Sequence, residues 1–206
     1  MKIQPKPALC SLLIGVFFAL PLLAQSLTPE EKAKKVAEEK VKKLAYVKKF
    51  SWLAIEEMRR TGIPASIKLA QAIVESHSGT SPLATEANNH FGLKCGKEWA
   101  GKTMFRVDDD RDAYGFLIES CFQAYTTIRE SYMRHSDHLL NPSKMDRYGY
   151  LFALDVLDYR AWAEGLQKGG YSTNPLYAQI LIQTIEELAL REYDLRVLTE
   201  VNGGRN

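Results

Sequence analysis

Glu75 closes the run Ala70-Gln71-Ala72-Ile73-Val74-Glu75-Ser76, and Gly79 follows where a helix of this pattern would stop. A carboxylate in a last helical turn meets unpaired carbonyls and the negative end of the helix dipole, and both disfavour its charged form. An apolar wall would push the same way, so Glu75 is suited to keep a proton that a model glutamic acid loses near about pH 4.3. That is the requirement for a general acid. A solvent-exposed glutamate with no role has the same sequence signature. A second acidic group, Asp108, Asp109, Asp110 and Asp112, offers three readings: a solvated turn, oxygen ligands for Ca²⁺, or the second carboxylate of a glycoside-hydrolysing pair. Tyr171 follows Gly169-Gly170, and its ring is expected at the mouth of a groove, where sugars stack on aromatic faces. The other aromatics of the later segments, Tyr177 among them, read as core or platform. His77 and His90 flank the acid, each expected to be a hydrogen-bonding structural group rather than a ligand.

The elements that must hold these groups are mostly helical. Thr28-Pro29-Glu30-Glu31 is a capping box with proline in the first turn, opening a charged lead-in helix through about residue 45. From Tyr46 the apolar residues Val47, Phe50, Leu53, Ala54 and Met58 recur at helical spacing, and Thr61-Gly62 ends that pattern. On the next helix Ile67, Ala70, Ile73 and Val74 fall on one face, while Lys68, Gln71 and Glu75 share the opposite, polar stripe. Between Asn88 and Cys121 the period disappears. Thr103 to Val107 and Gly115 to Ile118 are expected to pair as a hairpin around an acidic turn at 108–112. Phe122, Tyr125, Ile128, Tyr132 and Leu139 then form a helical stripe, Tyr159 to Leu166 a short helix, and Thr173-Asn174-Pro175 caps the last one. The expected fold class is α+β, mostly helical with a small β-hairpin lobe.

Composition narrows the setting. With 46% hydrophobic and 25% charged residues over 206 positions, the chain is an ordinary globular protein. Residues 1–24, with Lys2 and Lys6 ahead of an uncharged run, read as a secretory signal peptide, the alternative being a retained anchor. Removing it leaves 25 Lys and Arg against 25 Asp and Glu, and leaves Cys95 and Cys121, 26 positions apart. In an oxidising compartment this pair is a disulfide candidate worth about 3 kcal/mol by loop entropy; two buried thiols are the alternative. No metal or other cofactor is expected, since neither cysteine has zinc-ligand spacing and no nucleotide-binding glycine loop occurs. From Glu30 to Arg60 ten Lys or Arg stand against six acids. Without interleaved aromatics this argues against nucleic acid as a partner, leaving a solvated face or one turned to an anionic envelope polymer or lipid. Oligomeric state is not legible. The resulting division is signal segment 1–24, lead-in helix 25–45, domain 46–195 and polar tail 196–206.

Taken together, Ile63-Pro64-Ala65-Ser66, Ala70 to Ser76, Gly79-Thr80-Ser81 and Asn88-Asn89-His90-Phe91-Gly92-Leu93-Lys94-Cys95 resemble the glucosaminidase domains of glycoside hydrolase family 73. The block Trp162, Gly165-Leu166, Gly170-Tyr171-Ser172-Thr173-Asn174-Pro175 and Tyr177-Ala178 is similar to that family's closing motif. The resemblance spans about Tyr46 to Asp194. It implies a lysozyme-like fold and a cleft that takes peptidoglycan glycan strands. It implies hydrolysis of the β-1,4 bond between N-acetylglucosamine and N-acetylmuramic acid, in the cell envelope or outside it, without stable membrane insertion. It places the general acid at Glu75, the second carboxylate at Asp109 or Asp110 with Asp108 behind them, and substrate contacts at Gln71, His77, Asn89, Phe91, Tyr171 and Tyr177. The sequence departs from the family pattern at His77-Ser78, where Gly-Trp or a similar pair often stands, and at Asn174, where Asp is usual. Two rivals share these residues: a lytic transglycosylase on the same fold, and a silent glycan-binding module.

Overall fold

The computed structural model describes residues 27–203; the expected signal segment lies outside them, as do the side chains of Asp109, Asp110 and residues 201–203. Helix α1 (Pro29–Thr61) is one unbroken rod. Thr28 and Glu31 cap each other's backbone N–H groups at its start, at 3.2 and 2.8 Å, and Gly62 ends it with φ +79°, a backbone conformation that favours glycine. Apart from half-buried Lys43 its residues are exposed until Tyr46, from which Tyr46, Val47, Phe50, Leu53, Ala54 and Met58 enter the core.

Helix α2 (Ala65–Ser76) follows and is the centre of the molecule, packed against α1 and three later helices. Here the structure corrects the sequence reading. The stripe bearing Lys68 and Gln71 is buried as fully as the apolar one, because later helices cover it. Lys68 is therefore satisfied internally, whereas Gln71 bonds through its amide nitrogen alone. Lys68 donates to the Tyr132 carbonyl at 3.1 Å, to the Ser136 hydroxyl, and lies 2.9 Å from His135 Nδ1.

A short helix α3 (Pro82–Glu86) leads into a loop and then the hairpin, β1 (Thr103–Arg111) with β2 (Leu117–Gln123), antiparallel. The expected turn is displaced: Asp108 to Asp110 belong to β1, and the turn is residues 112–116. Asp112 forms it by accepting from the N–H groups of Tyr114 and Phe116 at 2.9 and 3.0 Å. Between the pairs Val107–Glu119 and Arg111–Leu117, three aspartates oppose one residue of β2, so they stand in a bulge. The Cys95–Cys121 disulfide ties the preceding loop to β2.

Helix α4 (Ile128–Leu139) begins only at Ile128: Phe122 is still in β2 and Tyr125 in a loop, so the expected helical stripe is split between a strand and a helix. A 3₁₀ turn (Pro142–Lys144), α5 (Met145–Tyr148) and a second 3₁₀ turn lead to α6 (Tyr159–Lys168) and α7 (Tyr177–Glu187). The segment expected as a polar tail is instead part of α8 (Arg191–Gly203), with Val197 buried.

Helix α8 also supplies something α2 lacks. The residue before α2 is Pro64, which has no side chain able to cap a helix. Asp194, fully buried and 128 positions away, accepts the Ser66 N–H at 2.8 Å instead. Removing this acceptor in Asp194→Ala is expected to destabilise the protein by about 1–2 kcal/mol, read as a lowered thermal midpoint. Burial also raises the Asp194 carboxyl to about 6. A folded pKa above the unfolded one means that the folded state binds more protons between about 4 and 6. The stability contributed by Asp194 therefore falls as pH rises through that window, and Asp194→Asn is expected to flatten this dependence in denaturant titrations run across it.

Candidate active site

Glu75 lies half-buried in the last turn of α2. The helix ends one residue later, three positions before Gly79. His77, Ser78 and Gly79 then take φ of +50°, +57° and +79° in succession. Left-handed backbone costs on the order of 1–3 kcal/mol for a residue with a side chain. The turn is held by Ser76, whose hydroxyl accepts the Gly79 N–H at 2.8 Å, and by the Ser78 N–H on the Ile73 carbonyl at 2.9 Å. Gly79 has a second reason to be glycine: an added Cβ would sit 3.0 Å from the Tyr46 ring.

One oxygen of Glu75 is spoken for. The Tyr177 hydroxyl donates to Oε1 at 2.8 Å, and Gln71 Nε2 donates to that same hydroxyl at 3.0 Å. A phenol has one proton, so the amide of Gln71 fixes its direction toward the carboxylate. Burial drives the Glu75 carboxyl up to about 7; the Tyr177 hydrogen bond opposes this, and the negative charge of Asp108 adds to it. Burial and the charge of Glu75 raise Tyr177 well above its ordinary range, so its hydroxyl stays a donor. Near neutral pH Glu75 is therefore divided between acid and carboxylate, with Oε2 unbonded among the described residues. It can give up a proton.

Around this pair the aromatics form a wall. Tyr171 stacks on Tyr177 with ring centres 5.7 Å apart and planes 12° from parallel, and its hydroxyl reaches the Phe91 carbonyl at 3.4 Å. Phe91 stacks on His135 at 4.1 Å, and His135 is the neighbour of Lys68. Arg147 clamps the glycines before Tyr171, donating to the carbonyls of Gly169 and Gly170 at 2.8 and 2.6 Å.

Four residues expected against substrate are closed off from solvent: Gln71, Asn89, Phe91 and Tyr177 are all buried. Asn89 is consumed by its own loop, donating to the carbonyls of Leu93 and Gln123 and accepting from two backbone N–H groups. Tyr171 is half-buried and His77 exposed, so these two remain accessible. His90 is buried, 2.7 Å from the Tyr46 hydroxyl, and burial lowers it to about 4. Asp108 pairs with Lys94 at 2.8 Å, and its charge is felt at Glu75, whereas Asp109 and Asp110 are placed only by their backbone in β1. His135 and Arg147 carry no mark in the sequence, and Lys68 reads there only as one residue of a polar stripe. Each acts across a long separation, and a lone cation or histidine carries no spacing that marks it. Among the described residues no three His, Cys, Asp or Glu side chains gather as a metal would require, and no helix is long and apolar enough to cross a membrane.

Comparison with known proteins agrees with this geometry. The family model for mannosyl-glycoprotein endo-beta-N-acetylglucosaminidase matches residues 51–190. The exo-glucosaminidase LytG of Bacillus subtilis is 31% identical over 195 residues, covering 94% of this chain and 69% of LytG. The peptidoglycan hydrolase FlgJ of Salmonella typhimurium is 28% identical over 134 residues, covering 63% of this chain and 41% of FlgJ, so the chain spans under half of that relative. A crystal structure of a peptidoglycan hydrolase from Sphingomonas sp. A1 superposes with a TM-score of 0.59 at 28% identity, over 75% of this chain and 94% of that one. The chain belongs to the glucosaminidase family, glycoside hydrolase family 73, and is a peptidoglycan hydrolase with the α+β, lysozyme-like fold of that family.

Proposed function

We propose that the protein hydrolyses the β-1,4 bond on the reducing side of N-acetylglucosamine in peptidoglycan, with Glu75 as general acid. The observation that carries this reading is the state of Glu75: half-buried at an open helix end, one oxygen fixed by Tyr177 and the other unbonded among the described residues. The acid delivers its proton from Oε2 to the glycosidic oxygen as positive charge develops on the sugar. Tyr177 keeps the carboxyl from rotating, and Gln71 keeps Tyr177 aimed. Tyr171 and His77 meet the sugars.

The second carboxylate comes from the Asp108–Asp110 bulge, which activates water on the opposite face of the ring. A bulge is a device for re-aiming side chains, and the influence of Asp108 on Glu75 supports this lobe as the source. Water activation from that face inverts the anomeric centre, whereas attack by the substrate's own N-acetyl group retains it. The anomer first formed, followed by NMR, distinguishes the two routes. We further propose that residues 1–24 are removed on export and that the mature chain acts outside the cytoplasmic membrane, a setting in which the Cys95–Cys121 disulfide persists.

Glu75→Gln is expected to retain the fold and lose on the order of 10²–10⁴ in kcat, the usual share of a general acid. Mass analysis of digested peptidoglycan should show new reducing ends of N-acetylglucosamine; anhydro-muramic ends would instead identify a transglycosylase, and equal clearance by wild type and Glu75→Gln a binding module. Tyr177→Phe removes a hydrogen bond that favours the charged form of Glu75, so its pKa rises. The alkaline limb of kcat/KM, expected near about 7 in the wild type, therefore moves to higher pH.

A further inference from the structure

Between the base of the hairpin lobe and the C-terminal half of α4 lies a cavity of about 580 Å³, within the range of ligand sites. Lys94, Lys97 and Trp99 wall one side, and Arg134, His138 and Lys144 the other. Its charge is unbalanced. The acids on its lining are Glu98 and Asp137, and Asp137 is already held by Arg60 at 2.9 Å. Lys94 is matched by Asp108, and the Arg134 guanidinium lies over the Trp99 ring, 3.8 Å from Glu130.

Lys144 is placed differently. Its half-buried ammonium lies 2.9 and 3.1 Å from the two ring nitrogens of His138 rather than on a carboxylate. Burial and then the charge of Arg147 draw it below the ordinary lysine range, and burial lowers His138 to about 4, so the imidazole beside it is neutral near pH 7. An ammonium withdrawn from water without an anion is a group that an incoming anion stabilises. Lys97 makes no ion pair among the described residues.

The cavity adjoins the groups of the reaction site, through His138 and Lys94 of its lining. His138 meets Tyr171 edge-on at 6.3 Å, and Tyr171 stacks on the Tyr177 that holds Glu75. On the facing wall Lys94 pairs with Asp108 of the bulge. That wall is fixed in place by the Cys95–Cys121 disulfide, by the Cys95 N–H on the Cys121 carbonyl at 2.8 Å, and by Trp99 Nε1 on the Lys102 carbonyl at 2.9 Å. A preformed cationic wall needs little ordering to receive a ligand.

The glycan of peptidoglycan is neutral along its sugars, and its regular fixed negative charges are the free carboxylates of the short peptides borne on alternate residues. We propose that this cavity is a stem-peptide subsite, in which Lys144 and Lys97, with Arg134 beside them, take a free carboxylate of a peptide next to the scissile bond. The proposal rests on the reading of the protein as a glucosaminidase acting at Glu75, and it makes peptide-bearing strands the preferred substrate.

Binding is tested on the mature chain carrying Glu75→Gln, so that no turnover is needed. Calorimetry with N-acetylmuramoyl-L-alanyl-D-isoglutamine is expected to show about tenfold weaker binding for Lys144→Ala and for Lys97→Glu, with recovery in Lys144→Arg. The methyl ester of the probe, which lacks the carboxylate, should bind the unaltered cavity as weakly as the acid binds those variants. In the active enzyme the same lysine changes should raise KM about tenfold on peptide-bearing strands and leave turnover of the same strands with their peptide carboxylates methyl-esterified unchanged. Equal binding by all variants, equal binding of acid and ester, or equal losses on both strand types would overturn the subsite. Tighter binding of a glycerol-phosphate polymer than of the carboxylate probe would overturn it in favour of a polyphosphate site. If wild type cleaves neither strand while the lysine contrast in binding persists, the catalytic reading fails and the subsite stands.

Discussion

A carboxylic acid that is to give up a proton near neutral pH must be kept partly from water and yet reach the reacting bond. The whole helical lobe is arranged around that requirement. Helix α2 is buried along its length by its neighbours, and only its final turn emerges. Glu75 is thus half in protein and half in the cleft. Charged groups elsewhere on α2 could not share this treatment without partners, and Lys68 has them: a carbonyl, a hydroxyl and an imidazole ring. Without them a buried ammonium at the centre of the lobe would be strongly destabilising.

The same helix needs both ends managed by distant parts of the chain. Its start is capped by Asp194 from α8, and its last turn is braced by Tyr177 from α7. The C-terminal helices are therefore part of the site's frame. Tyr171 directly follows the turn that Arg147 grips from α5, and it stacks on Tyr177. Asp108, whose charge is felt at Glu75, comes from a hairpin whose base the disulfide ties to the preceding loop.

Much of this was legible in the chain itself. The capping box at Thr28, the break at Gly62 and the hairpin all carry local signals, and Glu75 was visible from helix period and position. The polar stripe of α2 is not legible as buried, because periodicity reports which residues differ, while burial depends on what covers each face. Lys68 and Gln71 look like solvent residues until α4 and α7 are in place. The aspartates were assigned to a turn because acidic runs usually sit there; Asp112 alone forms it, and the bulge depends on strand register, which sequence does not print. Helix α8 was overlooked because few of its residues are buried, and its central role, capping α2 through Asp194, is an interaction across 128 positions.

One further property follows from the continuity of α1. Its first 17 residues, Pro29 onward, project beyond the core as a helix of about 25 Å, at 1.5 Å per residue. An isolated helix of that length would be marginal in water, but this one is already nucleated by the half that is packed, and Lys43 pairs with Glu187 of α7 at 2.8 Å. A flexible leader would let these charged residues sample every orientation relative to the cleft. A continuous helix instead holds them at one distance and direction from it.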